Sequence, residues 1–177
     1  ETGGYVLISE NDRLESIAMP ELFVVGDPTH GGSTSADLRV MDNDSLTELD
    51  LSELFFVSRN LTISNNAQLE TLDGFGQLAS INDLTIQGNA RLHDVLGLAT
   101  LTDLNQLTVS FNPHLPETMI NYLYDVEIGS GAVHGSVHIG HNNPTSLVEY
   151  DTSSCSADYL AAESGDFFSV GSTLHLS

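Results

Sequence analysis

The chain has 177 residues, which fits one compact unit, or one unit with a short appendage, and excludes a large multidomain enzyme. Apolar residues make up 40% and charged residues 16%, enough for a core and too apolar for a disordered tail. Against 25 Asp and Glu stand four arginines (Arg13, Arg39, Arg59, Arg91) and no lysine, a formal net charge of -21. That balance argues against nucleic acid and anionic lipid as partners, because both are held by clustered cations, and leaves cationic groups, Ca²⁺ or a salty environment.

Taken in chain order, the sequence repeats itself. Val6-Leu7-Ile8, Leu38-Arg39-Val40, Leu61-Thr62-Ile63, Leu84-Thr85-Ile86, Leu107-Thr108-Val109 and Val137-His138-Ile139 are six apolar-x-apolar triplets, the central four spaced 23 residues apart. Five residues after the start of each comes an asparagine: Asn11, Asn43, Asn66, Asn89, Asn112 and Asn142. Leucine follows at Leu14, Leu46, Leu69, Leu92 and Leu115, and a second apolar residue at Ile17, Leu49, Leu72 and Val95. Three central repeats add Phe55, Leu78 and Leu101. Each triplet reads as a short strand with alternate side chains inward. One such rung cannot bury its face alone, so the rungs must stack. The pattern predicts a mainly β, leucine-rich solenoid of about six rungs, a parallel β-helix with three faces per coil. At its corner the asparagine amides satisfy backbone groups of neighbouring turns as a structural ladder.

An insertion of about nine residues around 26–33 is rich in Gly, Pro and Ser and reads as an exposed loop between the first two rungs. Pro116 opens a segment with apolar residues at helical spacing, which predicts a short helix over 116–124. Residues 1–143 form the solenoid in this reading. Residues 144–177 hold a helical candidate at 156–163 and an alternating stretch at 172–176, either a C-terminal cap or the start of a further rung. Cys155, the single cysteine, has no internal partner. No stretch approaches ~20 apolar residues, so no membrane-inserted segment is expected, and no signal peptide is recognisable at the start.

The stretch LTISNNAQLETLDGFGQLASINDLTIQGNARLHDVLGLATLTDLNQLTVSFNPHLP resembles the receptor L-domain family, leucine-rich right-handed β-helices of receptor ectodomains, fungal walls and bacterial surface or secreted proteins. The closing NPHLPETMINYLYDVEIGSGAVHGSVHIGHNN resembles the bacterial members. The resemblance spans roughly 4–143 and implies an extracellular or cell-surface module; the family is defined by architecture rather than by one activity. Many bacterial members carry a cysteine just after Leu-Pro that pairs with one near the C-terminus. Here Glu117, Thr118 and Met119 occupy that place, so the resemblance leaves Cys155 without its partner.

Candidate chemistry lies on the outward face. One outward row holds Leu7, Arg39, Thr62, Thr85, Thr108 and His138, and the next Met41, Ser64, Gln87 and Ser110. Such an array of hydroxyls and amides can hydrogen-bond a protein or glycan on a cell surface, with the insertion loop beside it, although threonine is also simply a good strand residue. Glu15, Glu48, Glu70 and Asp94 predict an acidic stripe on the second face, solvated or bridged by Ca²⁺. Asp42-Asn43-Asp44 lacks the spacing of a calcium loop. His134, His138 and His141 fall on a strand and its flanking turns and do not predict a metal site. No nucleophile elbow or distinctive carboxylate pair stands out, so a non-catalytic adhesion or structural module is expected. The alternatives are a carbohydrate-active β-helix enzyme, a polysaccharide lyase or hydrolase, and an inert architectural spacer.

Overall fold

The computed structural model describes residues 5–27, 36–129 and 131–143. The expectations for Cys155, for 156–163 and 172–176, and for most of the insertion lie outside the described residues. The chain is mainly β. Strands β1 (Val6–Ser9), β2 (Ser16–Ala18), β3 (Val24–Val25), β4 (Leu38–Met41), β5 (Glu48–Asp50), β6 (Phe56–Ser64), β7 (Ser80–Gln87), β8 (Asp103–Ser110) and β9 (Val137–Gly140) accompany one short helix, α1 (Glu117–Tyr122). Seven strands form one parallel sheet in the order β1-β4-β6-β7-β8-β9, with β3 also paired to β6, while β2 and β5 form a parallel pair of their own.

Register follows the triplets. Leu38 pairs with Leu61, Leu61 with Leu84, Leu84 with Leu107 and Leu107 with Val137, so identical positions stack along the sheet. Their inward residues Leu38, Val40, Leu61, Ile63, Leu84, Ile86, Leu107 and Val109 are buried in one core with Leu46, Leu69, Leu92 and Leu115. At about 1.5–3 kcal/mol per buried aliphatic side chain, this continuous column is the main stabilising term, and no single strand could supply it. Gly74 and Gly97 permit tight stacking of the turns. A Cβ at Gly97 would lie 2.0 Å from the Leu72 carbonyl oxygen, and one at Gly74 would lie 1.8 Å from that of Leu49.

The asparagines are bonded in series. The backbone N–H of Asn66 donates to Oδ1 of Asn89 (3.0 Å), that of Asn89 to Asn112 (3.0 Å) and that of Asn112 to Asn142 (3.1 Å). Each side-chain amide also donates backward, Asn66 to the Val40 carbonyl, Asn89 to Ile63, Asn112 to Ile86 and Asn142 to Val109. One carboxamide thus ties together three successive strands at a bend where the ladder of the sheet has ended. Five of the six are buried; Asn11 follows β1, the edge strand among the described residues, and is exposed.

The residue before each asparagine turns the corner with positive φ: Glu10, Asp42, Asn65, Gly88, Phe111 and His141 all lie between 55° and 69°. Only Gly88 is the residue type that adopts this region freely. Asn65 and Asp42 bond side chain to side chain at 2.9 Å, and Phe111 and His141 stack with centroids 4.6 Å apart.

Two sequence expectations need correction. Phe55 shares the spacing of Leu78 and Leu101 but not their burial: it is 46% exposed and stacks on Phe23 (5.7 Å), whereas Leu54 is fully buried. The cause is a bulge in β6, where Val57 pairs with Ile81 but Asn60 with Asp83, so Ser58 and Arg59 together face one residue of β7. The turn before β6 is shorter, with one residue between Leu49 and Leu51 where Asp73 and Gly74 separate Leu72 from Phe75. The two irregularities cancel and hide inside an unchanged 23-residue spacing. The helix, too, differs in extent. Pro116 sits just outside it as the extended N-cap, and after Tyr122 the chain continues as wider π-type turns over Leu123–Ile128.

Candidate functional site

The outward row forms in register across the sheet. Leu7 pairs with Arg39, Arg39 with Thr62, Thr62 with Thr85, Thr85 with Thr108 and Thr108 with His138. Parallel strands are ~4.8 Å apart, so this is a line of fixed polar groups with that step. Arg39 and His138 are exposed and the threonines half-buried between them.

The neighbouring row is less available. Met41, Ser64, Gln87 and Ser110 are in register, but Ser64 and Ser110 are only 8% and 3% exposed. Ser64 sits between the longer side chains of Met41 and Gln87, and Ser110 beside Gln87, so the short hydroxymethyls are recessed. Both serines leave the set of surface contacts; Met41 and Gln87 remain.

The acidic stripe is broken. Ser16 pairs with Glu48, and Thr71 bridges to Asp94, whereas Glu15 and Glu70 lie one residue earlier in their turns. The carboxylates therefore stagger between two columns, with Thr47 bonded to the Glu15 carbonyl and His93 to that of Glu70. Arg91 reaches Glu70 at 3.5 Å, and Asp94 accepts the Leu96 N–H at 2.8 Å. Among the described residues no group of three or more His, Cys, Asp or Glu is arranged to hold a metal ion. His134 faces Asp103 at 3.3 Å, His141 stacks on Phe111, and His138 stands in the outward row, so the three histidines do not converge.

What composition and spacing did not reveal is a cavity of about 450 Å³ at the β1 end of this face, lined by Tyr5, Leu7, Asp37, Arg39 and Arg59. It is half polar and open to solvent. Tyr5 is 72% exposed and Leu7 49%. Asp37 holds Arg39 through Oδ2 at 2.5 Å and accepts the Asn60 N–H through Oδ1 at 3.3 Å, so each of its oxygens already has a donor. Arg59 is exposed and, among the described residues, makes no ion pair. It is carried there by the bulge. Ser58, its neighbour in that bulge, accepts the Ala36 N–H at 2.9 Å, and a Cβ on Gly26 would touch Ser58 Oγ, so both ends of the insertion are packed against this point. The signal in the sequence was scarcity: two of four cations in a chain with 25 acids line a single cavity.

Among the described residues no helix is long and apolar enough to cross a membrane. Compared with known protein families, with curated proteins and with solved structures, the chain matches none.

Proposed function

We propose that the chain is a right-handed β-solenoid of the receptor L-domain type, and that it serves as a non-catalytic recognition module at the cell surface. It binds a protein or glycan partner through the outward face of its main sheet and the adjoining insertion loop. Support for the winding comes from parallel strands joined by crossovers, a connection that is right-handed in about 98% of cases, and from inward positions that stack rung upon rung. Support for the family comes from the closing Asn-Pro and Leu-Pro segment and the helix that follows it.

The observation that carries the binding reading is the in-register outward row from Leu7 to His138. A line of side chains held by a rigid backbone loses little conformational freedom on binding, which lets weak polar contacts add. Screening the protein against arrays of glycans and cell-surface proteins tests this. Binding is expected, and Arg39→Ala or Thr85→Ala should weaken it at least about tenfold, about 1.4 kcal/mol, without lowering the unfolding midpoint. A silent screen with folded protein overturns it, and release of reducing ends from polysaccharides in the same screen replaces it with an enzyme.

A further inference from the structure

We propose that the cavity between Tyr5, Leu7, Arg39 and Arg59 binds the carboxylate of an acidic sugar, a uronic acid unit of a glycan that continues along the threonine row. This rests on the recognition reading above and names the chemistry of its ligand.

Charge is the first argument. Two guanidinium groups line one small cavity, and among the described residues its one carboxylate, Asp37, is bonded to Arg39 and to the Asn60 N–H. Arg39 and Arg91 pair with acids, whereas Arg13 and Arg59 make no ion pair among the described residues, and of these two only Arg59 lines the cavity. An incoming carboxylate completes what the protein leaves open, because a planar guanidinium presents paired N–H donors that match a carboxylate. The remaining surface limits the ligand to sparse charge. Densely sulfated or phosphorylated polymers are repelled by a chain of net charge -21, and that repulsion is far smaller for a ligand with a single carboxylate.

Shape is the second. Tyr5 and Leu7 give the cavity an exposed aromatic ring and an aliphatic flank beside the cations. That combination suits a pyranose, whose C–H face packs on apolar surface while its substituents bond outward. A volume of about 450 Å³ lies at the small-molecule end of ligand sites, enough for a sugar unit and too small for a helix or strand.

The third is the step of the row. Beyond Arg39 the hydroxyls of Thr62, Thr85 and Thr108 recur once per strand, every ~4.8 Å. That is close to the length of one pyranose unit in an extended glycan. An extended peptide places side chains on one face every ~6.6 Å, so it falls out of step after the first contact. The row therefore favours the glycan over an acidic peptide.

The test uses matched probes with this chain: cellotriose, the same trisaccharide with its terminal glucose oxidised to glucuronate, and a short peptide with a free or an amidated C-terminus, titrated by NMR at neutral pH. The glucuronate form is expected to bind at least about tenfold more tightly than cellotriose, and added salt should shrink that ratio. Arg59→Gln should bring the two trisaccharides to the same affinity while leaving cellotriose unchanged. Thr85→Ala should weaken both equally. Arg59 is exposed and unpaired among the described residues, so the variant should keep the wild-type unfolding midpoint. Equal binding of both trisaccharides overturns the carboxylate site and leaves glycan recognition standing. Tighter binding of the free-carboxylate peptide than of the glucuronate sugar overturns the sugar assignment. If neither trisaccharide binds, the acidic-sugar site falls, whereas the recognition reading falls only when the wider screen is silent as well.

Discussion

The middle of the sheet and its β1 end are built from the same repeat and do opposite things with it. From β6 to β8 the triplets pair 23 residues apart, the asparagines are wholly buried, and the inward side chains of the triplets are covered from both sides. At the β1 end the partner strand lies 32 residues away, Val6 and Ile8 are only partly buried, Asn11 is exposed, and an aromatic ring and two arginines stand open around a cavity. A repeat satisfies its groups through the rung on either side. At β1, which pairs on one side only among the described residues, donors and apolar surface are left over. The comparison teaches that the centre satisfies its own groups and that the β1 end leaves polar and apolar groups exposed, which is where the proposed binding site lies.

The most damaging way to probe this contrast is to remove the same amide in both places. Asn89→Ala leaves the Asn66 N–H without its acceptor and takes a donor from the Ile63 carbonyl, both inside the buried corner. At ~1–3 kcal/mol for each buried group left unmet, the loss should be about 2–5 kcal/mol. Asn11→Ala removes bonds to the Ser9 carbonyl and Asn43 Oδ1 at a partly solvated site, where water replaces them and Asn43 Oδ1 still accepts the Asn11 N–H. Its expected cost is below ~1 kcal/mol. Urea unfolding of the two variants reads the difference, and equal losses would break the distinction between centre and end.

A smaller effect separates two corners with the same strained backbone. Glu10 and Phe111 both have φ 58°, a conformation that costs a residue with a Cβ roughly 1–2 kcal/mol relative to the ordinary helical region. Glycine removes that cost but loses more chain entropy on folding, roughly 0.5–1 kcal/mol. Glu10→Gly should therefore stabilise by a few tenths to about 1 kcal/mol. Phe111→Gly also gives up the stack on His141, worth ~0.5–1.5 kcal/mol, and should be neutral or destabilising. Opposite signs in the two urea midpoints are the expected outcome, and stabilisation by both would mean that the aromatic pair contributes nothing.

These contrasts also explain which parts of the molecule the sequence made legible. The triplets and asparagines could be read because one physical requirement recurs at each turn and selects the same residue type. Burial of Leu54 instead of Phe55 could not, because an extra residue at Ser58 and Arg59 is cancelled by a shorter turn upstream and the spacing stays at 23. Arg39 and the threonine row were legible as outward positions. The recess of Ser64 and Ser110 was not, since it depends on the length of the side chains in adjacent strands. In the cavity Tyr5 and Asp37 each precede their triplet by one residue, but Arg59 precedes Leu61 by two and reaches it through the bulge, so periodicity alone does not point to it. Only the scarcity of arginine did.

The smallest expected effect concerns the opposite end, where α1 and the turns after it close the described rungs. Asp125 is itself exposed but flanked by the buried Leu123, Tyr124 and Ile128, and partial desolvation raises its carboxyl above the ordinary value of 3.8. The folded state then holds its proton more tightly than the unfolded chain does. Between the unfolded and folded values the native state binds more protons, so stability falls as pH rises through that window and the penalty is fully present above it. Asp125→Asn should accordingly raise the urea midpoint slightly at neutral pH and leave it unchanged well below pH 3.8, where the carboxyl is protonated in the folded and the unfolded chain alike. Removing any acid from so negative a chain relieves general repulsion, and Glu53→Gln, an exposed residue, measures that background. A gain for Asp125→Asn no larger than that for Glu53→Gln would show that the carboxylate at this end is as well solvated as any on the surface. The closing turns would then carry none of the unmet cost that distinguishes an end from the middle.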